Sequence, residues 1–220
     1  MKNILFDFDG TLADTLPLCI SAFRRAIEPL CGRALSDTDI IETFGPSEEG
    51  TIAALLPGNE AQGVERYLEH YAALHAQWPE PFPGIVELLD YLTRQGAFLG
   101  LVTGKGARSA VLSLERYGIE QYFRTVKTGS PAGPVKDEKI AEIIEEFGLD
   151  RDETLYVGDI PSDITASRAC SIRAVSAAWA PTADVEALRA LEPDYLFTRL
   201  EDFYSFMHEL FDGRAAHATD

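Results

Sequence analysis

Short apolar runs alternate along this chain with stretches whose apolar residues recur every three or four positions. Ile4-Leu5-Phe6 opens the series. Phe98-Leu99-Gly100-Leu101-Val102-Thr103 and Thr154-Leu155-Tyr156-Val157 also read as buried strands; Thr125–Lys127, Ala174–Ala177 and Tyr195–Phe197 are weaker examples. Between them, Ile85, Leu88, Leu89 and Leu92 fall at i, i+3, i+4 and i+7, as do Ile140, Ile143, Ile144 and Phe147. That spacing lines one face of a helix. Apolar strands joined by amphipathic helices predict right-handed βαβ units, hence an α/β fold with a parallel sheet.

Residues 15–80 break this rhythm. Leu16, Cys19, Ile20, Phe23 and Ile27 mark one helix, Ile52, Leu55 and Leu56 a second, and Val64, Leu68, Tyr71 and Leu74 a third, with no strand among them. Pro17 at one end and Pro79, Pro81, Pro83 and Gly84 at the other suit hinges and linkers. The expected organisation is an α/β core from residues 1–14 and 81–220, with a helical insertion at 15–80. Phe203, Phe206, Met207 and Leu210 predict a terminal core helix, and the small, polar stretch Gly213–Asp220 is expected to be disordered.

Composition narrows the class. Of 220 residues, 46% are apolar and 25% charged, as in an ordinary globular protein. No run has the length of a membrane span, and a strand this close to Met1 leaves no room for a signal peptide. Cys19, Cys31 and Cys170 lack metal-ligand spacing, which predicts free thiols in a reducing cytoplasm. The histidines show no ligand spacing either and read as surface or packing residues; Trp78 is expected near the hinge of the insertion and Trp179 near the late sheet edge. A net charge of −17 argues against nucleic acid as a partner, and an anionic substrate would need a locally positive site.

The first strand carries the sharpest chemical signal. It runs into Asp7-Phe8-Asp9-Gly10-Thr11, and in extended backbone residues i and i+2 project to the same side. Two carboxylates so close are costly unless a divalent cation sits between them or they differ in protonation role. An Asp-rich turn is the plainer alternative. Three further segments follow strand ends or precede helices. Val102-Thr103-Gly104-Lys105 offers a hydroxyl and an N–H that an anion can approach. Gly158-Asp159-Ile160-Pro161-Ser162-Asp163 offers two more acids, of which a helix cap would explain one. Lys136 stands just before a helix and by itself reads as a solvated charge.

In this order the four segments resemble the signature motifs of the haloacid dehalogenase (HAD) superfamily: Asp7–Thr11 motif one, Thr103 motif two, Lys136 motif three, and Gly158-Asp159 through Asp163 motif four. Asp14-Thr15 and Val102-Thr103-Gly104 look most like the phosphoglycolate phosphatase branch. The resemblance implies a Rossmann-like parallel core with a type-one helical cap inserted after the first strand. It also implies an Mg²⁺-dependent phosphatase of small phosphorylated metabolites, phosphoglycolate-like monoesters among them, acting through an aspartyl-phosphate. By position, Asp7 would be the nucleophile and Asp9 the general acid and base. Mg²⁺ would be held by the carboxylates of Asp7 and Asp159 and the main-chain carbonyl of Asp9. Thr103, Gly104 and Lys136 would bind the phosphoryl group, and Asp163 would support Lys136 or a metal-bound water.

Some features depart from the family pattern. Asp137 follows Lys136 where the family often has proline, leaving Lys105 and Lys139 as other candidate cations, and the helix after motif four lacks its usual terminal glycine near Ala169-Cys170-Ser171. The absence of lysine between Asp14 and Trp78 argues against a phosphonatase, and Asp9 argues against a true dehalogenase. Inorganic pyrophosphatase and sugar phosphomutase are the enzymatic alternatives; a binding or regulatory protein without turnover is the other. Gly45-Pro46-Ser47-Glu48 either faces the site and reads the leaving group or is an ordinary interhelical turn. The expected partner is a small phosphorylated metabolite, without nucleic acid or membrane; monomer and homodimer stay open.

Overall fold

The computed structural model describes residues 2–78 and 80–215, with side chains as far as 212. After β1 (Asn3–Phe6) come α1 (Leu16–Cys31), α2 (Asp37–Ile41), α3 (Glu48–Leu55) and α4 (Glu60–His75). Strands and helices then alternate: α5 (Ile85–Arg94), β2 (Phe98–Val102), α6 (Ala107–Tyr117), β3 (Thr125–Lys127), α7 (Lys136–Phe147) and β4 (Thr154–Gly158). The chain ends with α8 (Pro161–Ala169), β5 (Arg173–Ala177), α9 (Val185–Ala190), β6 (Tyr195–Phe197) and α10 (Leu200–Ala215). Every predicted strand and helix forms. The helices that periodicity missed are α2, α6, α8 and α9. In α6 and α8 the buried face includes Ser109, Ser113, Asp163 and Ser167, so polar residues mask the apolar stripe.

The six strands are all parallel, in the order β3-β2-β1-β4-β5-β6. The chain steps outward from β1 through β2 and β3, then crosses to β4 on the other side of β1. Strand order therefore reverses at β1, and a crevice opens beyond the carboxyl ends of β1 and β4. Both sheet faces are covered. Ile4 and Phe6 join Leu88, Leu92, Phe203 and Met207 in one apolar cluster, whereas Leu5 joins Ile140, Ile144 and Tyr156 in another.

Helices α1–α4 enclose an apolar cluster of their own, with Leu18, Phe23, Ile27, Ile52, Tyr67 and Leu74 at its centre and Trp78 packed against it. Trp179 does more than fill space near β5. Its indole N–H donates to the Thr11 carbonyl at 3.0 Å and its ring stacks on Phe203, which ties the turn after β1 to the core. His75 is buried against Ser113 and His208 pairs with Asp212 on the surface. The polar tail differs in part from expectation: α10 carries helical backbone to Ala215. Residues 216–220, His217 among them, and Pro79 lie outside the described residues. No helix among the described residues is long and apolar enough to cross a membrane.

Candidate active site

Asp7 follows β1 directly, and its N–H still donates to the Val157 carbonyl at 2.8 Å. Ladder bonding thus delivers the carboxylate to the crevice at the centre of the sheet. There Asp7 Oδ2 lies 2.6 Å from Lys136 Nζ, which also meets Asp163 Oδ1. Lys136 opens α7, so Asp137 in place of proline does not keep the lysine from the site. Lys139 turns to Glu142 instead, at 2.6 Å.

Two glycines permit this convergence. Gly10 has φ of 73°, and a Cβ there would come within 2.0 Å of Asp159 Oδ2. A Cβ on Gly158 would come within 2.2 Å of Asp163 Oδ2. Asp163 also accepts the Ile160 N–H at 3.1 Å, so one side chain both caps α8 and holds Lys136.

Burial dominates the electrostatics. It pushes the Asp7 pKa up to about 6, against the pull of Lys136 and with Asp163 and Asp9 adding to the rise. Asp159 is raised further above the carboxylate range by burial, then by Asp7 and Asp163. Burial lowers Lys136, but Asp163 and Asp7 outweigh it and keep the ammonium charged.

Asp7, Asp159 and Asp163 offer oxygens that all lie within 4.8 Å of one another. Fully ionised, the three buried carboxylates would outnumber the single ammonium of Lys136 by two, and the Thr11 hydroxyl, 3.4 Å from Asp159, carries no compensating charge. The donor set fits a hard divalent cation. The cluster contains the two carboxylates expected to hold the ion, Asp7 and Asp159, and adds Asp163, which was expected only to support Lys136 or a metal-bound water. Asp9 Oδ1 faces the helices, where it accepts from Lys105 Nζ at 3.1 Å and from the Thr15 hydroxyl.

The Thr103 N–H donates to Lys127, and the Thr103 hydroxyl accepts the Lys105 N–H at 3.3 Å. Thr103 and Gly104 face the same cavity as Asp7 and Asp9. Gly45, Pro46 and Glu48 line it from the helical side. Ser47 does not line it; its N–H donates to the Ser130 carbonyl at 2.9 Å. Buried Glu48 accepts from the Gly106 N–H and the Ser109 hydroxyl, joining α3 to α6.

Sequence reasoning missed the surroundings of Lys105. This lysine is 3% exposed, with Nζ 3.6 Å from Cys19 Sγ and 4.6 Å from the Tyr71 ring centre. Burial alone would lower its pKa, but Asp9 leads the groups that raise it and hold it charged. Burial pushes the Cys19 thiol up to about 12, so it is a neutral neighbour. No local pattern signals this cluster, because its members come from α1, α4 and the segments that follow β1 and β2.

The profile of a family described as "Haloacid dehalogenase-like hydrolase" matches residues 4–177. The chain belongs to this family. As a HAD-like hydrolase it is similar along its length to "Pyrophosphatase PpaX" of Halalkalibacterium halodurans, 28% identical over 92% of this chain and 94% of the relative. It is likewise similar to "Phosphoglycolate phosphatase" of Agrobacterium fabrum, 29% identical over 94% and 91% of the two chains. Among solved structures, a hydrolase from Pseudomonas syringae has the same fold, with a TM-score of 0.78 at 21% identity over 95% of this chain and 99% of that one. These findings make the chain a HAD-like hydrolase with relatives named as phosphatases.

Proposed function

We propose that this HAD-like hydrolase is an Mg²⁺-dependent phosphatase of small phosphomonoesters in the cytoplasm, working through an aspartyl-phosphate. One observation carries the reading: Asp7 meets a charged lysine at 2.6 Å beside two further buried acids. Asp7 attacks phosphorus, and the ester P–O bond breaks as the Asp7–phosphorus bond forms. Asp9 gives its proton to the departing alkoxide, then takes one from the water that releases inorganic phosphate and restores the Asp7 carboxylate. Thr103 and the Gly104 N–H hold phosphoryl oxygens while Lys136 balances their charge. Asp163 positions Lys136. Asp7, Asp159, Asp163 and the Asp9 carbonyl would hold Mg²⁺, which supplies charge compensation at the phosphoryl group. Residues 15–80 act as a cap that closes over a core of 1–14 and 81–220 and excludes bulk water. Gly45, Pro46 and Glu48 face the leaving group from that cap.

The relatives named pyrophosphatase support a second reading, in which the leaving group is phosphate. The test of the shared chemistry is hydrolysis of an aryl phosphate with and without chelator, beside Asp7→Asn. Turnover is expected to need Mg²⁺ and to fall at least about a thousandfold in the variant. Activity that ignores chelator or survives Asp7→Asn would defeat this mechanism.

A further inference from the structure

The cavity that contains Asp7 and Asp9 has a volume of about 820 Å³, far more than a phosphoryl group fills. Its catalytic end is charged. Much of its remaining lining is apolar: Leu16, Phe23, Ile41, Phe44 and Pro46 from the helical insertion, with Ile160 from the segment after β4. Ile41, Phe44 and Ile160 are 44%, 36% and 44% exposed, and all three face this one space. Apolar surface gathered around one cavity is left in water unless a ligand covers it.

Charge points the same way. Among the described residues from 16 to 78, no Lys, Arg or His lines the cavity. Arg24 turns away to Asp37, and Arg33 to Asp39. The three lysines that do line it each meet a carboxylate: Lys136 at Asp7 and Asp163, Lys105 at Asp9, Lys139 at Glu142. Glu48 adds an acid on the leaving-group side. A second anionic group there would lose its hydration beside a carboxylate and gain no cation.

We infer that the leaving group this cavity takes is uncharged and apolar: the substrates are phosphomonoesters of aliphatic or aromatic alcohols, not esters whose alcohol bears a carboxylate and not pyrophosphate. The inference rests on the phosphatase reading and narrows it, away from the anionic leaving groups in the names of the relatives. Bond changes are those given above, with a neutral alcohol as product.

The test compares kcat/KM for ethyl, butyl and hexyl phosphate with phosphoglycolate and pyrophosphate. In parallel, calorimetry gives Kd for the non-hydrolysable alkylphosphonates and for phosphonoacetate. Each added methylene is expected to raise kcat/KM and tighten phosphonate binding about two- to fourfold, with a negative heat-capacity change. Phosphoglycolate and pyrophosphate should fall at least about tenfold below butyl phosphate, since neither brings an alkyl chain to bury and both bring a second charged group. Phe44→Ala should flatten the chain-length series, and Phe44→Arg should move preference toward phosphoglycolate. A flat series, or phosphoglycolate or pyrophosphate above butyl phosphate, overturns the inference while the phosphatase reading stands. Absence of turnover on every substrate overturns the phosphatase reading, and the phosphonate affinities then decide the leaving-group preference separately.

Discussion

Lys105 shows how one side chain can prepare another. Its ammonium is buried, sits on the Tyr71 ring and meets both oxygens of Asp9, at 3.1 and 3.3 Å. With the Thr15 hydroxyl it fixes the carboxylate that is to trade protons with the leaving group. Lys105 touches no reacting atom in this scheme, so it is a positioning residue. Lys105→Met is expected to lower kcat about ten- to a hundredfold, the cost of a misplaced proton donor, with little change in KM. Lys105→Arg keeps the charge and should recover part of the loss. Steady-state kinetics check both; equal kcat for Met, Arg and wild type would refute the role. The sequence offered Lys105 only as a stand-in for Lys136, because its partner Asp9 is 96 residues away.

At the element scale, the end of α8 repays attention. The family's usual glycine is missing there, and Ser171 takes the left-handed conformation in its place, with φ of 53°. A side chain in that region is strained and glycine is not. Ser171→Gly is therefore expected to raise stability by about 0.5–1 kcal/mol and to leave phosphatase kinetics unchanged, as read by denaturant unfolding and by turnover. A destabilised variant would mean that the Ser171 side chain contributes more than its backbone costs. The expectation that this departure concerns capping, not chemistry, was legible in the chain; the positive φ was not. Similarly, α6 and α8 escaped the periodicity reading because they bury serines and an aspartate. Buried polar residues are placed by distant partners, and a local window does not contain those.

For the whole molecule, the acid cluster links folding, pH and metal. Asp7 has a pKa of about 6 in the fold against an ordinary 3.8, and Asp159 is raised as well. Between those values the folded protein holds a proton that the unfolded chain has lost. Without metal, stability therefore falls as pH rises through this window. A divalent cation favours the ionised acids and binds the fold alone, so it competes with those protons. Mg²⁺ should raise Tm more at about pH 7.5 than at about pH 5, by thermal unfolding with and without chelator. A shift as large at the lower pH would dissociate the cluster from the ion.

Alternating strands and helices, the separate helical stretch, the paired acids after β1 and the order of the four motifs were all determined by the sequence itself. Each is a local pattern, set by the period of its element and by residues that are chain neighbours. Tertiary structure alone decided the strand order β3-β2-β1-β4-β5-β6, the entry of Asp163 into the acid cluster, and the pairing of Lys136 with Asp7 across 129 residues. It also decided which residues of the helical insertion line the cavity, and hence that apolar side chains share it with the charged ones. Such arrangements depend on which side chains meet through space as the core packs, and no run of neighbouring residues encodes that separately.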